Sequence, residues 1–530
     1  MLRTSVLLLL VACGKVESGP DAGDDDDPST SIAVAIDPAP HYIRTGERRT
    51  IAVTLTRTGV TGPVTVEVVS PPAGVTIEPV TIDGDTGELT IDVTADAPFE
   101  RSSFVVTASA GGEIATAPLA IEVIGSPGAV DPTFGMSGYV TYAASPQFDS
   151  PMFALAQGDK VVVGIAIVRA GKQGVLVVRR TRDGAADPTF GITGDAGETF
   201  VDLSTIGLTV NRAVAAPQAD GRIVIAGNGH NGSNSDPFIA RLTPDGQLDT
   251  EFALRRLNSA ATNDSIGAIT IGPSDEIVLA GDRATDMASD ALLVRLDATG
   301  KVDTGFGYLG YKIYNELAYD QAHAVIVQAD GRIVSMISVT QTTGGFVPSY
   351  ALRRFGSDGQ LDSSFGVGGK AALPTPESGA RGHVLASPDR LSLVVAGAVR
   401  VDTSNPELAV WRFLADGRLD LGFAGGIGYW TLPAATELEH LVIGADDSLY
   451  GFASKGGSPG EPVDLWTAHL DANGVPDPGF GADGIVRDTA ITGFGFPRAV
   501  VQRTDHRMVM VGVLLPAVGY SDTTLRSSWH

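Results

Sequence analysis

From Ile32 to Gly125, apolar and polar residues alternate with a period of two in the runs IAVAID, TIAVTLTR, GPVTVEVV, GVTIEPV, GELTIDVTA, SFVVTASA and APLAIEVIG. Alternation of this kind turns every second side chain to the same face, so each run predicts a strand with one buried side. Turn formers such as Pro71-Pro72 and Asp83-Gly84-Asp85 separate the runs. Seven short strands in about 95 residues predict a two-sheet sandwich over residues 32 to 125.

Beyond Gly125 the pattern becomes cyclic. A D-x-x-F motif recurs at Asp131/Phe134, Asp187/Phe190, Asp249/Phe252, Asp303/Phe306, Asp362/Phe365, Asp420/Phe423 and Asp477/Phe480, with Phe-to-Phe steps of 56, 62, 54, 59, 58 and 57 residues. That period is the size of a four-stranded propeller blade. Two elements keep phase with it. One is an apolar hairpin such as AVAAPQADGRIVIAG (213 to 227), where Asp-Gly supplies a tight turn. The other is a strand ending in Arg179, Arg241, Arg295, Arg354 or Arg412, with His469 in the sixth copy.

The hairpin occurs near residues 154, 213, 268, 324, 384, 441 and 499, and the last copy stops at TLRSSWH, where its fourth strand is due. Residues 131 to 142 (DPTFGMSGYVTY) form a fourth strand with no hairpin before it. The expected architecture over 126 to 530 is therefore a closed seven-bladed β-propeller whose N-terminal strand completes the last blade, because closure removes exposed edges. The fold class expected for the whole chain is all-β. The third copy departs from the pattern at Ala253 and Ser274-Asp275-Glu276, and the sixth at Asp446-Asp447-Ser448, where the turn glycine is missing.

The blocks RLTPDGQLDTEF (241 to 252), RFGSDGQLDSSFG (354 to 366) and ADGRIVIAG (219 to 227) resemble the delta-60 repeat family of bacterial surface and secreted proteins. The resemblance implies a propeller-like domain and carries no catalytic residues. PPAGVTIEP (Pro71 to Pro79) gives the preceding segment a resemblance to the cysteine-free immunoglobulin-like modules of bacterial surface proteins. Such modules serve mostly as spacers.

The N-terminus adds a location. Arg3 precedes the apolar run Val6 to Val11, which is too short for a lasting transmembrane helix. Leu10-Val11-Ala12-Cys13 resembles the lipobox of bacterial lipoproteins, which implies lipidation of Cys13 and membrane anchoring; Gly14 then favours the outer membrane. Residues 14 to 31, with Asp24 to Asp27 repelling one another, read as an acidic disordered tether. Cys13 is the single cysteine, so no intrachain disulfide forms.

Charge narrows the partners. The net charge is −25, and the 37 basic residues include no Lys/Arg run, which argues against nucleic acid. The repeated Asp and Arg are expected to be structural, because a catalytic group is needed once and not in every repeat. Varied residues stand just before each first hairpin strand: Met152, Arg212, Gly267, His323, His383, His440 and Arg498. Such strands line a propeller's channel, so Arg212, His323, His383, His440 and Arg498 are a candidate ligand site at its mouth. Converging imidazoles at His323, His383 and His440 would suit a metal, and the arginines a carboxylate or phosphate. Asp320, Glu437 and Glu439 enter the same region. No cofactor is required by the sequence, and HExxH, GxSxG, CxxC and P-loop motifs are missing. The reading is a non-catalytic, envelope-anchored binding module with a protein or glycan ligand. Its alternatives are a lyase- or hydrolase-type propeller enzyme and an adhesive scaffold.

Overall fold

The computed structural model describes residues 30–142, 149–191, 197–257, 263–284, 288–341, 347–373, 383–386, 392–400, 406–432, 437–444, 446–456, 463–491, 497–514 and 522–530. Residues 1–29, with Cys13 and nearly all of the acidic segment, lie outside them. Among the described residues no helix is long and apolar enough to cross a membrane. The protein is all-β, and its chain divides into two compact units, one ending at Ile124 and the other running from Gly125 to His530.

The first unit has two sheets. One orders the strands Ser31–Ala35, Arg48–Thr58, Thr86–Val93 and Val75–Ile77; the other orders His41–Arg44, Glu113–Ile124, Arg101–Ala110, Val64–Val68 and Val80–Ile82. Their inward residues, among them Ile51, Val53, Leu55, Val64, Val66, Leu89, Ile91, Val106, Leu119 and Ile121, share one buried core. The alternation in the sequence thus does become burial alternation, as in the pattern of strand Arg48–Thr58. Three details differ from the sequence expectation. His41–Arg44 is an additional strand, paired in parallel with Ile121–Ile124. GVTIEPV is split by Glu78-Pro79 into two strands that join different sheets. Ser31 already pairs with Thr58, so order begins before the expected end of the tether.

The second unit is propeller-like. Among the described residues, strands follow one another in antiparallel fours, the sheets opening at Ser150, Thr209, Asn263, Tyr319, His383, Glu437 and Pro497. A single parallel bridge, Ser289 to Tyr319, joins the third and fourth of these. The opening strands touch in chain order, and Pro497–Gln502 touches both Glu437–Ile443 and Ser150–Gln157. Apolar cores lie between successive sheets. One combines Val175, Val177 and Phe190 with Ile225 and Phe238, and another combines Val161, Val163 and Leu176 with Phe134, Val509 and Leu525, joining the last sheet to the first.

The last sheet orders Tyr139–Tyr142, Asp522–Trp529, Arg507–Leu514 and Pro497–Gln502, so a strand from the start of the unit completes it. More than a strand is shared. In the second sheet the turn after Leu242 has Thr243 N donating to Gln247 O and Gly246 N to Thr243 O. The two ends of the unit reproduce that turn without a covalent link: Trp529 N donates to Ala129 O (2.9 Å) and Gly128 N to Trp529 O (2.8 Å). Glycine-less hairpin turns keep their register because Asp275 (φ 60°) and Asp447 (φ 63°) adopt the left-handed conformation that Gly221 (φ 84°) has elsewhere. Aspartate tolerates that region better than most residues.

Candidate functional site

The repeated charges are built into the frame. In each D-x-x-F turn one carboxylate oxygen accepts an amide two residues on, as at Asp187 (Thr189 N, 3.0 Å) and Asp362 (Ser364 N, 3.0 Å). The other oxygen accepts from the guanidinium of Arg179 (2.7 Å), Arg241 (2.9 Å), Arg295 (2.8 Å), Arg354 (2.8 Å) or Arg412 (2.7 Å), and in the sixth copy it lies 2.9 Å from His469 Nδ1. Each of these guanidiniums also stacks on its motif's phenylalanine, at 4.6 Å for Arg179 and 4.8 Å for Arg354. Those of Arg179, Arg241, Arg354 and Arg412 also reach a carbonyl of the next sheet, as from Arg179 to Pro244 O (2.8 Å). One side chain thereby joins turn, aromatic plug and neighbour.

The closing sheet solves the problem differently. Its equivalent position is Ser527, whose carbonyl accepts from Asp131 N as Arg179 O accepts from Asp187 N. Arg507, from the preceding hairpin strand, pairs with Asp131 (2.5 Å) in its place and also with Asp505 (2.9 Å). Arg503 donates to Arg182 O (3.0 Å), which makes the bridge to the first sheet.

With those residues absorbed, the varied positions on the opening strands stand out. Six of these strands carry a register shift next to the candidate residues, at Pro151/Phe153, Val210/Arg212, Ile266/Ala268, Ala322/Ala324, Leu438/His440 and Pro497/Ala499. The bulges correct the single column expected from the sequence. Met152, Gly267, His323 and Arg498 are unpaired bulge residues, while in the other two shifts Asn211 and Glu439 are unpaired and Arg212 pairs with Asn228. His383 and His440 instead pair with Ala396 and Phe452, the ladder position that Ala324 fills opposite Met336. His323 is therefore one residue out of step with the other two histidines, and one residue exchanges strand faces in a regular ladder. Among the described residues no group of three His, Cys, Asp or Glu is arranged to hold a metal ion. The His383 side chain lies outside the description.

Two of the five candidates do come together. Arg212 is laid over Gly267 of the neighbouring strand, so closely that a β-carbon there would be 3.1 Å from Nη1. Its charge acts on Asp282 and His323. His323 Nε2 is 2.7 Å from Ser338 Oγ, and its ring lies 5.6 Å from that of Tyr350. Burial, with the Arg212 charge adding to it, lowers the imidazole to about 4, so His323 is neutral at pH 7. Burial raises the Asp282 carboxyl, against hydrogen bonds donated by Ser265 and Ser289. Arg498 is exposed. Asp320 is buried, and its carboxylate accepts the amides of Glu316 and Leu317, which makes it a turn residue and not part of the mouth.

Asp282 and Ser338 were not singled out from the sequence. They occupy equivalent positions in IVLAGDRA and IVSMISVT, in the place of Asn228 in IVIAGNGH. That shared polar position facing the bulges was the available signal.

Three solved structures give the scale of structural likeness. Polysaccharide lyase Uly1 is 11% identical, with 74% of this chain and 93% of that one covered, at a TM-score of 0.40. A quinonprotein alcohol dehydrogenase-like protein from Bacteroides thetaiotaomicron is 9% identical over 85% and 94%, at 0.33. An exo-1,5-alpha-L-arabinanase from a bovine ruminal metagenomic library is 12% identical over 52% and 97%, at 0.30. No curated protein matches the sequence. Residues 218–252, 272–306, 328–365 and 392–423 match the family described as a domain of unknown function (DUF5122) beta-propeller. On that match, together with the sheets and the turns just described, these four segments are similar to the repeats of a beta-propeller family.

Proposed function

We propose that the second unit is a non-catalytic binding module, a closed ring of seven blades of the delta-60 kind. Its ligand site is the mouth formed by the bulged opening strands. The observation that carries this reading is the Arg212, Asp282 and His323 group. It is polar and unrepeated, in a unit whose repeated Asp and Arg are engaged in the frame. Ring closure is supported by the shared last sheet and by the core between the last and first sheets. A lipid on Cys13 would hold the module at the outer membrane, with the first unit as an immunoglobulin-like spacer. The resemblance of Leu10 to Cys13 to a lipobox supports the anchor.

Two experiments test this. Palmitate labelling of the full chain in a Gram-negative host should be abolished by Cys13→Ser; undiminished label would reject the anchor. On a panel of immobilised envelope glycans and peptides, Arg212→Ala should weaken the strongest binding about tenfold, whereas the exposed Arg418→Ala should leave it unchanged. Equal binding by both variants would remove the mouth from consideration. A second reading, an enzyme, rests on the His323–Ser338 contact, which has the spacing of a base and its nucleophile. Ser338 is only 4% exposed, which gives a substrate little approach, so binding is preferred. Turnover of a bound ligand that is lost in Ser338→Ala would reverse that order.

A further inference from the structure

We propose that a second site, between two neighbouring sheets of the ring, binds a small amphipathic carboxylate. A cavity of about 580 Å³ is lined chiefly by Arg283, Tyr308, Leu309, Tyr311 and Lys312 of one sheet and Gln360 of the next. That volume is in the range of small-molecule sites. None of these residues belongs to the Arg212 group, so this proposal stands or falls separately from the mouth.

Three observations define the occupant. The first is the turn itself. Leu309 has φ 54°, at a position where the equivalent turns hold Ser137 (φ 52°), Gly368 (φ 63°) and Asp483 (φ 53°). A leucine is disfavoured in the left-handed region, and this one is 57% exposed, so neither turn geometry nor core packing accounts for it. Strain of this kind at a cavity wall points to function. Second, Tyr308 at the turn tip is 81% exposed and offers a flat aromatic face beside Leu309. Tyr311 is fixed as a wall by donating its hydroxyl to Leu257 O (2.8 Å).

Third, the charge is inverted relative to the molecule. The chain carries −25, yet the lining contains two cations and no carboxylate. Arg283 is committed to Asp264 through two bonds of 3.0 Å. Lys312 has no carboxylate partner among the described residues and supplies the positive charge. An apolar body lies against Tyr308 and Leu309 while its carboxylate meets Lys312 and the Gln360 amide.

Calorimetric titration of the folded chain tests this with 3-phenylpropionate, its uncharged analogue 3-phenylpropanamide, and glucuronate. One acid should bind saturably at one equivalent, and the amide about tenfold more weakly or not at all. Lys312→Gln should weaken the acid to a similar degree. Leu309→Gly should raise the melting temperature and weaken binding together, a pairing that a merely structural leucine would not give. Preference for glucuronate assigns the site to sugar acids, and preference for 3-phenylpropionate assigns it to hydrophobic acids; both uphold a carboxylate site. The proposal is overturned if neither acid saturates at millimolar concentration, or if binding survives Lys312→Gln and Tyr308→Ala unchanged.

Discussion

Arg507 and Arg418 both face an aspartate, yet their surroundings give them opposite weights. Arg507 and Asp131 have side chains 2% and 0% exposed, whereas Arg418 is 73% exposed beside Asp416. Removing one member of a buried pair strands the other charge, so Arg507→Ala should cost about 3–5 kcal/mol in urea unfolding. Arg418→Ala should stay within about 0.5 kcal/mol. Comparable losses for the two would mean that the Arg507 cluster is not what secures the last sheet. Titration belongs to the same scale. His323 and His530 are lowered to about 4 and about 3, chiefly by burial. The unfolded chain takes up these protons near the ordinary value of 6.5, so stability is present above that pH. It should fall as pH drops through 6.5 toward 4, by up to about 1.4 kcal/mol per pH unit for each histidine. His323→Gln, which can keep a bond to Ser338, should flatten this slope in pH-dependent denaturation curves. An unchanged slope would assign the loss to other groups. Further acidification protonates carboxylates such as Glu316. Burial alone would raise that carboxyl, but hydrogen bonds from Tyr314 and Arg353 hold it at about 2.

At the scale of elements, turns and sheets are coupled through single glycines. Gly246 and Gly221 both have positive φ, 85° and 84°. A β-carbon on Gly246 would be 2.6 Å from the Phe190 ring of the preceding sheet, whereas one on Gly221 meets nothing nearer than Pro244 at 3.5 Å. Gly221→Ala should therefore cost only the left-handed penalty, about 1–2 kcal/mol. Gly246→Ala should cost that plus about 1–3 kcal/mol for displacing the aromatic plug. Equal melting temperatures for the two variants would show that Phe190 yields without loss. The bulges are the other device at this scale. By adding an unpaired residue they let Gly267 and His323 leave the ladder, and they bring Arg212 against the next strand.

For the whole second unit, the consequence of sharing the last sheet is cooperativity. A chain of residues 125–530 should melt in one transition, because a strand from its start completes its last sheet and one apolar core joins the last sheet to the first. Residues 143–530 would lack Tyr139–Tyr142, Phe134 and Asp131. That leaves Asp522–Trp529 as an open edge and Arg507 without its main partner. This shorter chain should aggregate on size-exclusion chromatography, and a monomeric product with an unchanged melt would refute the shared last sheet as the source of stability. A permutant joining His530 to Pro127 and opened between Leu432 and Glu437 should fold, since the junction only restores a turn that is already hydrogen-bonded.

Most of the strand set, though not His41–Arg44 or the split of GVTIEPV, was legible in the sequence, as were the repeat period, the shared last sheet and the engagement of Arg179, Asp187 and Phe190. Alternation and recurrence are one-dimensional signals, and burial and turn geometry follow them directly. The mouth was legible only in part. Arg212 and His323 do belong to one group, but His323 is the unpaired residue of its bulge, whereas His383 and His440 pair in the ladder one position later. Nothing in local composition records which of two adjacent residues leaves a ladder, because that is settled by how the strand twists against its neighbours. The same holds for Arg507 standing in for Ser527, and for the cavity beside Leu309. Both arise between segments far apart in the chain, where only the packing of one sheet on the next decides which side chains meet.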